Sequence, residues 1–293
     1  MRVSTAVLTR NARERGYAIP AVNVFDEIGM RAVIEAAELR AAPLIVQVSV
    51  KTTKSVGIPL LTNMFDELTR NATVPLALHL DHCPDRAVIE EVIAAGWSSI
   101  LFDASDRDLE TAERETAEVV HAAHAAGVDI ESEIENILGV EDGVGSDEAL
   151  HAYSVEQLAD VAERTGADLL APQLGTSHGV FKEQPSLLPE RVTALAALTN
   201  RPIVLHGGTG LSAEEFESFI KAGVSKINIS TALKMSYLQA AATHLDEARR
   251  TDRWDPPSLL RDVSDAVRDE IIEHIDAFGA AGQAEQAARV VAR

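Results

Sequence analysis

The sequence lacks the features that would place it in a membrane or in an oxidising compartment. Its 293 residues include one cysteine, Cys83, so no disulfide can form within the chain. Its apolar runs are far shorter than the roughly 18 residues that a membrane-spanning helix needs. No basic, then apolar, then small-residue pattern opens the sequence, as it would in a secretory signal. We therefore expect no membrane association and a cytoplasmic location.

Basic residues are also scarce. The chain has 26 Lys and Arg against 46 Asp and Glu, which gives a formal net charge of −20. Nucleic acids and anionic membranes bind basic surfaces, so we expect neither as a partner. A small anionic substrate is still compatible with this charge, because backbone N–H groups and a metal cation can bind phosphate inside an acidic protein.

Short apolar, β-rich runs alternate with amphipathic helical stretches along the chain. This alternation predicts parallel βαβ units, and near-continuous apolar strands predict a sheet covered on both faces. Eight units predict an α/β fold, a closed (β/α)8 TIM barrel, with a doubly wound open sheet as the alternative. The predicted strands are IPAVNV (19–24), PLIVQVS (43–49), PLALHLD (75–81), SSILFDAS (98–105), VDIESEI (128–134), DLLAPQLG (168–175), PIVLHGG (202–208) and KINIST (226–231).

No linker or low-complexity segment interrupts this pattern, so we interpret residues 1–293 as a single domain. Residues 1–16 are predicted to form a capping helix at the N-terminus. Residues 254–282 are predicted to add extra helices after the barrel.

Polar side chains stand at the carboxyl ends of the predicted strands, where TIM barrels carry their active sites. Three imidazoles from separate elements suit zinc or another divalent cation with an open position for substrate, and His82, His178 and His206 are the natural ligands. His79 precedes His82 by an odd offset, which in a regular strand points to the opposite face, so we expect a packed histidine there. The strand-end residues are Asn23, Gln47, Ser49, Asp81, His82, Asp103, Ser105, Glu131, Glu133, His178, His206, Asn228, Ser230 and Thr231.

Glycine-rich loops accompany the histidines. GTSHG (175–179) and HGGTG (206–210) follow the sixth and seventh strands. Barrels often bind phosphate after strands seven and eight, so a phosphorylated substrate is predicted. The acidic loop ENILGVEDGVGSDEALHAYS (135–154) carries Glu141 and could bring a carboxylate over the site as a proton acceptor. The alternative is a solvated surface loop.

These stretches together resemble the class II, metal-dependent ketose-phosphate aldolases, which include fructose- and tagatose-bisphosphate aldolases. The resemblance implies a barrel enzyme, a lyase, that reversibly cleaves a ketose 1-phosphate to dihydroxyacetone phosphate and an aldehyde. The matching segments are AVNVFD (21–26), LIVQVS (44–49), LHLDHC (78–83), AAGWSSILFDAS (94–105), ESEI (131–134), GVEDGV (139–144), GTSHGVFK (175–182), VLHGGTG (204–210), KINIST (226–231) and DAFGAAGQA (276–284).

The resemblance also implies roles for individual residues. His82, His178 and His206 would hold the metal, with Glu133 as an alternative ligand. Asp81 would exchange a proton with the C4 hydroxyl, and Glu141 would move the proton of dihydroxyacetone phosphate. Substrate and phosphate would be bound by Asn23, Gln47, Ser49, Gly179, Lys182, Gly207, Gly208, Thr209, Asn228, Ser230 and Thr231. Lys182 would help to close a site for a monovalent cation, Na⁺ or K⁺. Homodimers or homotetramers are implied as well.

The sequence departs from the family pattern at residues that would contact the end of the substrate farthest from the 1-phosphate. Where the bisphosphate aldolases usually carry an Asp-Pro-Arg arginine, this chain has Pro257, which cannot pair with a distal phosphate, and Arg253 or Arg261 would have to substitute. Glu135 and Leu138 replace small residues after the fifth strand. We therefore expect an aldehyde end that need not be phosphate and is compatible with a carboxylate, a sulfonate or a deoxy group.

Three alternatives stay open at this point. One is a standard fructose-1,6- or tagatose-1,6-bisphosphate aldolase. Another is a catalytically degenerate barrel that acts as a binding subunit. A metal-dependent hydrolase is the third, although its HxH marker is absent from the first strand, which ends in Asn23 and Val24. A Schiff-base mechanism lacks a nucleophile, because Lys226 begins the eighth strand and is expected on the wrong side of the barrel.

Overall fold

A computed structural model shows the fold, and it describes residues 2–141, 144–146, 148, 150–180 and 185–291. Eight parallel strands close into a barrel in the order β1-β10-β9-β8-β5-β4-β3-β2, which confirms the predicted TIM barrel. The barrel strands are β1 (Ile19–Asn23), β2 (Leu44–Ser49), β3 (Leu76–Cys83), β4 (Ser99–Asp103), β5 (Asp129–Glu133), β8 (Leu169–Leu170), β9 (Ile203–Leu205) and β10 (Val224–Ile229).

Helices surround the strands and cover their outer faces. The helices are α1 (Thr5–Arg15), α2 (Glu27–Leu39), α3 (Val50–Val56), α4 (Ile58–Leu68), α5 (Arg86–Ala94), α6 (Leu109–Ala125), α7 (Val155–Thr165), α8 (Pro189–Leu198), α9 (Ala213–Ala222), α10 (Thr231–Thr251), α11 (Pro256–Ala277) and α12 (Ala284–Val291). In the described part of the chain, no helix has the length and apolar character needed to cross a membrane.

Helix α1 closes the amino end of the barrel, as the capping-helix prediction requires. The side chain of Ser4 caps its first turn by accepting a hydrogen bond from the backbone N–H of Val7. Ser4 also donates to Asp129 at the start of β5 (2.8 Å). Farther along α1, Arg13 donates to three carbonyl groups in the segment that leads into β9. These contacts hold α1 at the end of the barrel opposite the histidines.

The C-terminal helices extend beyond the predicted range. Helix α10 begins directly after β10, and α11 packs against it, with Ser236 donating to the carbonyl of Ala266 (3.0 Å). Helix α12 follows as a further element, anchored where the backbone N–H of Ala284 donates to the carbonyl of Ala41. The prediction of extra helices over 254–282 is therefore confirmed for α11 and falls short of α12.

The sixth and seventh strands of the barrel, β8 and β9, are shorter than predicted. Pro172 has no backbone N–H to donate and interrupts the run DLLAPQLG, so β8 is limited to Leu169–Leu170. In the seventh strand Gly207 turns the chain away with a φ of 65°, and β9 ends at Leu205. Short strands place the glycine-rich loops directly over the carboxyl end of the barrel.

The loop predicted over 135–154 contains regular structure. Strands β6 (Gly139–Glu141) and β7 (Val144–Ser146) pair antiparallel. The backbone N–H of His178 donates to the carbonyl of Leu138 (2.7 Å), so this pair of strands rests on the segment that carries His178. At Gly139 a Cβ atom would lie 2.9 Å from the carbonyl oxygen of His178, which explains a glycine at this point of contact.

Candidate metal and active site

Three histidines, at the ends of β3 and β9 and on the loop after β8, come together at the carboxyl end of the barrel. Their rings lie close, with centroids 4.9 Å apart for His82 and His206, 5.0 Å for His82 and His178, and 6.1 Å for His178 and His206. One nitrogen of each ring lies within 4.8 Å of a nitrogen of the other two, and His82 Nε2 lies 3.0 Å from His206 Nδ1. The structure thus brings together the three residues that the sequence predicts as metal ligands.

His82 reaches this position through an unusual backbone conformation. Its φ of 45° lies in the left-handed region, which non-glycine residues seldom adopt, and the pairing of β3 with β4 shifts between Leu80 and Cys83. The regular alternation of side chains therefore breaks at this residue. Asp81 and His82, although adjacent in sequence, both contribute side chains to the interior cluster.

The same irregularity overturns the expectation for His79. We predicted that His79 would face away from the cluster because of its odd offset from His82. The offset rule fails because β3 is not regular here, and His79 lies inside the barrel, with Nε2 3.9 Å from Glu131 Oε2. The prediction of a packed histidine is confirmed: His79 is fully buried and its Nδ1 lies 2.7 Å from the hydroxyl of Ser99.

Carboxylate groups contact one ring nitrogen in each of two histidines, His82 and His206. Asp103 lies 3.1 Å from His82 Nδ1, which leaves Nε2 for a metal. Glu131 lies 2.9 Å from His206 Nε2, which leaves Nδ1. A carboxylate behind a histidine orients the ring and raises its basicity as a ligand. The sequence shows both acids at strand ends, but our sequence analysis assigned neither of them a role.

Lys226 is closer to the site than expected. It is fully buried inside the barrel, and its Nζ lies 2.7 Å from Glu131 Oε2. The expectation that it stands on the wrong side is therefore wrong, although its ammonium group is held in an ion pair beneath the histidines. Lys226 and Glu131 together provide a charged layer under the cluster.

The electrostatics of the cluster favour a cation. Glu133 is buried, and its Oε2 has no hydrogen-bond partner in the described part of the chain. Burial and the neighbouring charge of Asp103 raise the pKa of Glu133 well above its usual range. Burial alone would lower the pKa of His82, but the charges of Glu133, Asp81 and Asp103 raise it well above its usual range. Converging imidazoles beside buried carboxyl groups are a donor set that suits a divalent cation.

Asp81 is held by side-chain amides. Asn23 donates to Asp81 Oδ2 (2.7 Å), and Gln47 donates in turn to the Asn23 side-chain carbonyl (2.6 Å). Asn228 donates to Asp81 Oδ1 (3.3 Å). Hydrogen bonds to both carboxylate oxygens fix the orientation of the Asp81 side chain. Four residues predicted from separate strands thus form one network beside the histidines.

The predicted phosphate-binding residues lie at the same end of the barrel. At Gly207 a Cβ atom would come within 2.4 Å of the carbonyl oxygen of Ser177, so the two glycine-rich loops touch there. Gly208 packs against Phe216, and Gly179 has a φ of 84°. Ser230 is buried, and no group among the residues that the structure describes forms a hydrogen bond with its hydroxyl. Thr209, on the loop after β9, and Thr231, the first residue of α10, are half-buried.

Not every predicted residue joins this set. Ser49 accepts a hydrogen bond from the backbone N–H of Thr52 at the start of α3 and is mostly engaged in that cap. The side chain of Glu141 and the whole of Lys182 lie outside the described residues. The remaining histidines, on helices or in the loop, stay apart from the cluster.

Comparisons with known proteins agree with this geometry. The family described as Fructose-bisphosphate aldolase class-II matches residues 3–283. The chain is 33% identical to the fructose-bisphosphate aldolase of Geobacillus stearothermophilus, over 97% of this chain and 99% of that one. It is 30% identical to the sulfofructosephosphate aldolase of Alkalicoccus urumqiensis, over 96% and 98%.

Solved structures give the same result. The crystal structure of the YdjI aldolase from Escherichia coli K12 superimposes with a TM-score of 0.85 at 29% identity, over 97% of this chain and 100% of that one. Aldolases of this kind are carbon–carbon lyases. From its matched length, its fold and its relatives, the chain belongs to the class II fructose-bisphosphate aldolase family.

Proposed function

We propose that this chain is a metal-dependent aldolase that reversibly cleaves a ketose 1-phosphate into dihydroxyacetone phosphate and an aldehyde. The observation that carries the proposal is the convergence of His82, His178 and His206 beside Asp81. His82 would offer Nε2 and His206 would offer Nδ1, with Glu133 available as a further ligand. Bound there, zinc or another divalent cation would act as a Lewis acid toward charge developing on the ketol oxygens.

The protein's own groups move the protons. As the C3–C4 bond breaks, Asp81 would take the proton of the C4 hydroxyl, and the bonding electrons would stay with the dihydroxyacetone phosphate half. Glu141 would then return a proton to C3 of that half. Asn23 and Asn228 keep Asp81 aimed at the substrate, because each donates a hydrogen bond to it. Positioned proton transfer of this kind contributes about 10²- to 10⁴-fold to rate.

The phosphate of the substrate would bind among the loops after β8, β9 and β10. Gly179, Gly207 and Gly208 have no side chains that would block an approach to their backbone N–H groups, and Thr209, Ser230 and Thr231 would add hydroxyl donors. The buried Ser230 hydroxyl, which has no hydrogen-bond partner among the described residues, supports this, because buried polar groups in a folded protein normally have a partner. Lys182 and a monovalent cation would complete the site.

The substrate would differ from a hexose bisphosphate at its far end. Pro257 stands where an arginine usually meets the distal phosphate, and a similar relative is named for a sulfonated sugar. We propose an aldehyde whose end group is a sulfonate, a carboxylate or a deoxy carbon. Fructose 1,6-bisphosphate and tagatose 1,6-bisphosphate are the alternatives, supported by the relative named as a fructose-bisphosphate aldolase.

Two measurements test the function. Incubating dihydroxyacetone phosphate with the protein in deuterated water should exchange one C3 hydrogen, and a chelator should stop this exchange until zinc is restored. Initial rates should then be compared for fructose 1,6-bisphosphate and for analogues with sulfonate, carboxylate and deoxy ends. If the bisphosphate were the best substrate by two orders of magnitude, the proposal for the far end would be wrong while the aldolase assignment would stand.

We also propose a homo-oligomer in the cytoplasm. Helix α10 exposes an apolar stripe, Met235, Leu238 and Leu245, at spacings of three and seven residues, which lie on one side of a helix. A second copy of the chain would cover this stripe. Light scattering after size-exclusion chromatography measures the assembly, and cell fractionation measures the location.

A further inference from the structure

Glu135 is a buried acid that is not part of the histidine cluster. It stands two residues after Glu133, at a position where the sequence departs from the small residues usual in the family, and only 1% of it is exposed. Its two oxygens accept four hydrogen bonds. Two come from the backbone N–H groups of Tyr153 (2.7 Å) and Gln173 (3.0 Å), and two come from the guanidinium group of Arg191 (2.8 and 2.9 Å).

Arg191, at the start of α8, completes this arrangement. The same guanidinium group donates to the carbonyl oxygens of Tyr153 and Gln173. The ion pair therefore forms hydrogen bonds with both the backbone N–H and the backbone C=O of Tyr153 and of Gln173, which are far apart in sequence. Four segments meet at one point: the end of β5, the chain before α7, the chain after β8, and α8.

These segments carry groups of the proposed reaction. After Glu135 the chain enters β6 (Gly139–Glu141), and after Gln173 it enters the turn that holds His178. Asn136, which follows Glu135 in the sequence, donates to the carbonyl of Glu148 and accepts from the N–H of Leu150 (both 2.7 Å). These two bonds close the base of the loop that contains β6. The backbone hydrogen bond from His178 to Leu138 joins the two segments beyond the ion pair.

Stability alone does not account for such a pair. The cost of removing two charges from water cancels most of their attraction, and apolar replacements are often equally stable. A bidentate arginine–carboxylate pair instead defines distance and angle, because its two parallel hydrogen bonds fit one geometry. Here the pair fixes the position of the loop after β5 relative to the loop after β8.

We propose that Glu135 and Arg191 are positioning residues, which set the place of strand β6, and thus of Glu141, relative to the metal-binding histidines. The inference rests on the proposed function. Loosening the pair would change the position of β6 relative to the turn that holds His178, while His82 and His206 stay at the ends of β3 and β9. Misplacement by about 1 Å can cost about 10²-fold in rate, so the chemical step would be affected more than binding.

The experiment uses the full-length, zinc-loaded protein with three variants: Glu135→Gln, Arg191→Lys and, as the matched control, Glu113→Gln. Glu113 accepts a bidentate pair from Arg164 on the outer helices α6 and α7. Hydrogen exchange at C3 of dihydroxyacetone phosphate is measured for kcat and KM. Zinc affinity is measured by chelator competition, and folding by circular dichroism.

The expected result is a kcat for exchange that falls by about 10- to 100-fold in Glu135→Gln and Arg191→Lys. KM and zinc affinity should stay within threefold of the wild type, and Glu113→Gln should match the wild type throughout. An unchanged kcat, a loss of zinc parallel to the loss of rate, or failure of both variants to fold would overturn the positioning role. A wild-type protein without metal-dependent exchange would instead refute the proposed function.

Discussion

Replacing Glu131 with glutamine perturbs two interactions at once. The carboxylate accepts from Lys226 (2.7 Å) and lies 2.9 Å from His206 Nε2, and all three side chains are fully buried. Glutamine preserves the shape of the side chain but removes its charge. Lys226 would then be a buried cation without a counter-ion, and His206 would lose the acceptor that fixes its ring.

The two effects differ in size and in the property they change. Breaking one partner of a buried ion pair typically costs about 3–5 kcal/mol of folding free energy, because the other charge stays buried and uncompensated. Loss of a carboxylate behind a metal-binding histidine typically weakens metal affinity by about 10- to 100-fold. That range corresponds to about 1.4–2.7 kcal/mol of binding free energy. The fold should therefore suffer more than the metal site.

A second variant separates the effects. Glu131→Gln combined with Lys226→Met removes the uncompensated charge, so most of the folding free energy should return while the metal affinity stays low. Urea denaturation of the metal-free proteins measures the first quantity, and competition with a chromogenic chelator measures the second. If Glu131→Gln kept both the stability and the zinc affinity of the wild type, the structural argument for this carboxylate would be refuted.

Three further predictions address other parts of the molecule. Asp81→Asn should slow carbon–carbon cleavage by about 10²-fold or more but retain hydrogen exchange on dihydroxyacetone phosphate, and equal loss of both in paired kinetic assays would contradict its role. Gly207→Ala should raise KM for dihydroxyacetone phosphate and lower the melting temperature, since the Cβ would meet a carbonyl oxygen at 2.4 Å; an alanine variant with wild-type values would count against the close approach. Leu238→Glu on α10 should shift the protein to smaller assemblies in light scattering, and an unchanged mass would place the interface elsewhere.

The sequence predicts the barrel well because eight short, largely apolar runs alternate with amphipathic helical stretches. It predicts the metal cluster because the histidines fall at or after the ends of three strands, and the carboxyl ends of parallel strands meet at one edge. The lengths of β8 and β9 are less accessible from the sequence. They depend on Pro172 and Gly207, whose effects on the ladder appear only once neighbouring strands are paired.

The supporting residues were harder to predict for a physical reason. His79 and His82 both face the interior, despite their odd offset, because the left-handed φ of His82 and the shifted pairing of β3 with β4 turn His82 inward, and nothing in the sequence LHLDHC indicates this. Glu131 is a different case, since an acid within an apolar strand must be paired when it is buried. That signal was present in the sequence, but the partners, Lys226 and His206, lie 95 and 75 residues away.

The backbone turn at His82 also has a mechanical consequence. Because consecutive residues face the same cavity, the proposed proton acceptor, Asp81, and a proposed metal ligand, His82, are separated by one peptide unit, with α-carbons about 3.8 Å apart. A displacement of β3 would therefore move both residues together, and the spacing between them is set by the covalent backbone.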